Sequence, residues 1–162
     1  MLGVMAFWCG IMEIAEKAGL VKKAAEKLRP VIRFLFPQLP VGNKANEQIA
    51  INFIANILGL GWAATPAGLK AMEALGELEE DRRLGRAFGP VRKRGVAGDE
   101  MCIFLILNIS SLQLIPVNVI AYRSQYGSAD PAGIIGGGIL ATMASTGAAV
   151  VYVCLLYTSP SP

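Results

Sequence analysis

The stretch NFIANILGLGWAATPAGLK, residues 52–70, is mostly apolar yet carries Asn52, Asn56, Gly59, Gly61, Thr65 and Pro66. Apolar helices usually exclude amides, and helices avoid this density of Gly and Pro. The pattern predicts a helix over 44–60, a break at Gly59 and Gly61, and a second helix with Thr65 as its N-cap and Pro66 at its first position. That second helix becomes steadily more polar through Lys70, Glu73 and Glu77 to Arg83.

A second stretch follows the same design. FLILNISSLQLIPVNVIAYR, residues 104–123, runs as an apolar helix to Asn108, is interrupted at Ser110, Ser111 and Gln113, and restarts at Pro116 with Asn118 just inside. The repeated unit is a break in an apolar helix. Residues 99–108 and 116–123 make about 15 Å and about 12 Å of helix, half-membrane lengths.

The chain's balance sets the medium. Its 162 residues are 54% apolar and 17% charged, with a mean hydropathy of +0.49; soluble domains run near 45–50% and 25%. AGIIGGGILATMASTGAAVVYV, residues 132–153, is the one conventional span, about 33 Å long. Its Gly136, Gly137, Gly138, Ala141, Ala144, Ser145 and Gly147 suit close helix packing in lipid. No strand precedes GGG and no Lys-Ser/Thr pair follows it, so a phosphate loop is not indicated.

Charge is clumped. LVKKAAEKLRPVIRFLF, residues 20–36, is a basic amphipathic segment of period 3.6, kinked at Pro30, which predicts an interfacial helix. GRAFGPVRKRGVAG, residues 85–98, is a basic Gly/Pro loop, read as a cytoplasmic loop and not as a nucleic-acid site. Basic flanks on both sides of 44–80 belong on one face of the membrane. That favours a re-entrant hairpin, and the half-length second unit suits another.

Residues 2–16 read as helix. MLGVMAFWCG has the character of the latter half of a membrane segment, so the chain is expected to start late; CLLYTSPSP, 154–162, is expected to be a non-native or disordered tail. Cys9, Cys102 and Cys154 show no pairing or metal spacing, and there is no histidine. No cofactor motif is present. Glu79, Glu80 and Asp81 read as a solvated charged face without a nucleophile–base pair, so no enzyme is expected.

The segments EIAEKAGLVKKAAEKLRPVIRFLFPQLP, L-G-L-G-x-A-A-T-P-x-G-L-K-A-M (58–72) and N-x-S-S-x-x-L-I-P (108–116) resemble the spore maturation protein A family, membrane proteins with the nucleoside-recognition (Gate) domain. The resemblance covers about residues 3–150 and departs at Trp62, Val117 and Asn118. It implies a Gate membrane domain over 1–153 and a multi-pass protein of the bacterial inner membrane. It also implies a role in endospore maturation, through core dehydration and heat resistance, and a spore maturation protein B-like partner or self-association.

The fold expected is therefore an all-α membrane protein with short transmembrane helices, two re-entrant hairpins and one interfacial helix. Two helix N-termini at Pro66 and Pro116 would meet near the midplane, offering free N–H groups and partial positive charge. With Asn52, Asn56, Gly59, Gly61, Thr65, Asn108, Ser110, Ser111, Gln113 and Asn118 they make a candidate site for a nucleoside or other small polar solute. Asn and Ser at such places also serve as caps or as glue between helices. The function expected is a transporter-like gate, or else a non-transporting membrane scaffold for cortex assembly.

Overall fold

A computed structural model describes residues 10, 14, 17–59, 61–110 and 113–158. They fold as α-helices: α1 (Leu20–Leu35), α2 (Lys44–Ile57), α3 (Gly61–Arg83), α4 (Asp99–Ile109), α5 (Val117–Gln125) and α6 (Ile134–Thr158). A single 3-10 turn, Pro131–Gly133, leads into α6. The described residues contain no strand. The helix expected over 2–16 lies outside them, apart from Gly10 and Ile14.

Helix α1 continues through Pro30 without a break. Asn43 caps α2, its Oδ1 accepting from Ala45 N–H at 2.8 Å. Helices α2 and α3 form an antiparallel hairpin whose open end is marked by Lys44 near Glu77, at 3.8 Å. Helix α3 starts at Gly61 and not at Thr65–Pro66: Pro66 lies inside it. The Thr65 hydroxyl, expected to cap, instead donates to Gly61 O one turn back at 3.0 Å. That bond holds the turn whose Pro66 has no N–H to give.

Helix α4 is capped by Gly98 and not by Asp99, because the Asp99 carboxylate is taken by Arg92 at 2.8 and 2.9 Å. Ser110 meets Thr146 at 3.3 Å, and a Cβ built on Gly138 would lie 3.6 Å from Pro116. As the chain advances from 110 to 116, its neighbours on α6 recede from 146 to 138. The second broken unit thus passes α6 in one direction and reaches the turn at Pro131. It is a discontinuous rod, not the hairpin expected, because α5 continues away from α4 instead of folding back on it.

The core joins Ile32, Leu35 and Phe36 with Ile49, Phe53, Leu75, Leu78, Ile103, Phe104, Leu107 and Val153. Phe53 stacks on Phe104 with ring centroids 6.3 Å apart. Helix α6 is long and apolar enough to cross a membrane, and little of it is covered by the rest of the chain. It runs to Thr158, and the remainder of the expected tail, 159–162, lies outside the described residues.

Candidate functional site

The two breaks touch. The hairpin tip carries Gly59 at φ 71, a conformation that costs other residues about 1–2 kcal/mol. Glycine is needed there for a second reason: an added Cβ would overlap the Ile115 carbonyl. Beside it, Leu114 N–H donates to Ile57 O at 3.0 Å. One backbone hydrogen bond thus joins the two irregular segments directly.

One helical turn behind the tip lies a chain of carboxamides. Asn52, 1% exposed, donates through Nδ2 to Ala64 O at 2.8 Å. Asn56 Nδ2 donates to Asn52 Oδ1 at 3.1 Å and to Asn108 Oδ1 at 2.8 Å. Asn52 and Asn56 are four residues apart on α2, so they share a face; Asn108 arrives from α4, across 52 positions of sequence. Asn56 Oδ1 and Asn108 Nδ2 take no part in this chain of bonds. Gly68 of α3 makes room: a Cβ there would lie 3.0 Å from Asn52 Nδ2 and 3.8 Å from Asn108 Nδ2.

The expected residues therefore divide. Asn52, Asn56 and Asn108 converge, with Gly59 at the neighbouring tip contact and Gly61 starting α3. Ser110 is buried, donating to Leu107 O at 2.6 Å and meeting Thr146 on α6. Thr65 and Asn118 are exposed and Gln113 half-exposed. Ser111 lies outside the described residues. Gly68 and Thr146 belong to the centre and were not expected. Gly68 had a readable signal, since an interior helical Gly costs about 1 kcal/mol against Ala and implies a close approach.

A second polar centre lies at the open end of the hairpin. Arg82 has a side chain 0% exposed, between Glu79 at 4% and Glu100 at 2%. Its Nη1 donates to Glu79 at 2.8 Å and Glu100 at 3.1 Å, and its Nη2 to Glu100 at 2.6 Å. The remaining donors reach Gln38 O at 3.0 Å and Phe88 O at 3.3 Å. Glu79 is therefore no solvated face; the fold carries it inward because Arg82, one turn on, offers five fixed donors. The hydrogen bonds that Arg82 donates to Glu100, foremost, push its guanidinium above the usual arginine value, against the opposing effect of burial. Glu79 Oε2 has no donor among the described residues. The clamp ties the segment after α1 to the loop after α3.

The chain is 40% identical over 151 residues to spore maturation protein A of Bacillus subtilis (strain 168), an alignment covering 93% of this chain and 71% of that protein. No family model matches the chain, and no solved structure matches it.

Proposed function

We propose, from the premise that this chain belongs to the spore maturation protein A family, that it serves spore maturation as a membrane gate for a small, neutral, polar solute. The observation that carries this is the Asn52–Asn56–Asn108 chain at the meeting of two helix breaks. Its depth supports the reading. Ser110, two residues past Asn108, sits against Thr146 near the middle of α6, and amides at the middle of a span are costly unless they have work there. In this reading the α2–α3 hairpin enters the bilayer and returns, α4 and α5 form one discontinuous crossing, α6 is a full one, and α1 lies in the interface.

The site's chemistry is uncharged. Three carboxamides, backbone carbonyls and two nearby helix starts supply donors and acceptors without fixed charge. Such a set recognises amide-like or heterocyclic edges better than ions. Asn56 Oδ1 and Asn108 Nδ2 take no part in the chain of bonds and leave one acceptor and one donor for a solute.

A second reading rests on a specific observation: Asn52, Asn56 and Asn108 already bond to one another and to Ala64 O. That favours a scaffold in which Asn56 glues α2 to α4, with the uncovered face of α6 meeting a membrane partner or a second copy. Asn108→Leu separates the two. A binding site predicts lost nucleoside binding by the purified protein and lost spore heat resistance, with abundance unchanged. Glue predicts a stability loss of roughly 0.5–2 kcal/mol, with function falling only as the protein does. A stable and fully functional Asn56→Leu/Asn108→Leu double variant refutes the site.

A further inference from the structure

The geometry points to a separate lipid contact: the loop after α3, residues 84–98, is a finger for anionic phospholipid headgroups that presents the Phe88 side chain outward. This inference rests on the membrane reading above. The loop holds Arg86, Arg92, Lys93 and Arg94 and no acidic residue; Arg86 and Arg94 make only long, exposed approaches to Asp81 and Glu80 of α3, at 3.9 and 3.8 Å. Its side chains are turned outward: Phe88 is 97% exposed, and Val91 and Val96 are exposed as well.

The finger is nevertheless fixed from beneath. Arg82 Nε donates to Phe88 O. Arg83 donates to Arg92 O at 3.0 Å and to Lys93 O at 3.4 Å. Arg92 is held in turn by Asp99. Gly89, at φ 139, lets the backbone lie against the Arg82 guanidinium, where a Cβ would collide. An exposed phenylalanine on a fastened frame docks without the ordering cost a free loop would bear.

Position and charge select the occupant. Gln38 meets the same clamp, so the last turn of α1, with Arg33 and Phe34 exposed, lies at this end. Val153, near the end of α6, shares a core with Ile103 of α4, so the loop that leads into α4 emerges where the span ends. That is headgroup depth. Cations interleaved with apolar side chains are what an anionic bilayer surface draws in and holds.

The test uses the full chain with Cys9, Cys102 and Cys154 replaced by Ser and with Phe88→Cys bearing an environment-sensitive fluorophore. It is placed in nanodiscs of phosphatidylcholine alone or mixed with phosphatidylglycerol. The expected result is blue-shifted emission and quenching by brominated lipid in the anionic discs, reversed by salt. Arg86→Gln/Lys93→Gln/Arg94→Gln should weaken the effect by roughly 100-fold. Free glycerol phosphate added to neutral discs should not reproduce it. A water-like spectrum in both discs overturns the inference, as does shielding that depends on protein concentration and not on lipid, which would mean a second copy. A matched probe at Leu140→Cys on α6 reports the span itself: if that probe too escapes brominated lipid, the membrane reading has failed instead.

Discussion

Replacing Arg82 with Met tests whether the clamp is as dry as its burial implies. The substitution preserves length and volume but removes five donors. It strands Glu79 and Glu100, both nearly inaccessible, along with the carbonyls of Gln38 and Phe88. Removing one partner from a buried ion pair costs about 3–5 kcal/mol, because the remaining charge stays desolvated. Glu100 lies in the first turn of α4, where the helix dipole offsets up to about 1 kcal/mol. In a chain of this size each kcal/mol moves Tm by about 2–4 °C, so Arg82→Met, at a net cost of about 2–5 kcal/mol, should lower Tm by roughly 4–20 °C. Circular dichroism melting in mild detergent reads this directly. The Glu79→Met/Arg82→Met/Glu100→Met variant should recover most of the loss, since it leaves no buried charge unpaired. A fall of less than about 2 °C for the single variant, or a triple variant no better than the single, would refute the reasoning and mean that water reaches the carboxylates.

Gly59→Ala should cost more than Gly85→Ala: both glycines have positive φ, but only Gly59 abuts Ile115. The excess measures the contact between the breaks and should be about 1–3 kcal/mol in the same melting assay; equal losses would mean the units do not touch. Cysteines placed at Lys23 and Lys93, in a background without the native thiols, should respond alike to an impermeant thiol reagent applied to intact cells, and labelling of one alone breaks the hairpin. Carbonate extraction should leave the full-length protein in the membrane pellet, and its release would remove the bilayer from the account.

Local signals in the sequence served where one residue decides one turn. The break at Gly59 was readable because only glycine suits φ 71, and the restart at Pro116 because proline fits where no N–H is needed. Asn56 and Asn108 stood out because apolar helices rarely carry amides. The Thr65–Pro66 start failed through a competing local rule: a threonine hydroxyl can bond back one turn as readily as it can cap. The direction of α5 was not legible either, since half-length helices suit a hairpin and a broken rod equally. Glu79 looked solvated because the buried Arg82 that draws it inside is itself held by Glu100, which lies beyond the basic loop 84–98.

The bond between Asn56 and Asn108 spans 52 positions, and this has a consequence for biogenesis. At about 5–20 residues per second, a ribosome takes roughly 3–10 s to deliver the second asparagine after the first. During that interval the hairpin tip lacks Ile115, Leu114 and Asn108, and one amide of Asn56 has no distant acceptor. Lipid is a poor host for such a tip, whereas the water-facing side where both its basic flanks belong is a good one. In the proposed membrane arrangement the hairpin is therefore best settled into the bilayer last, after α4, α5 and α6, although it is made first.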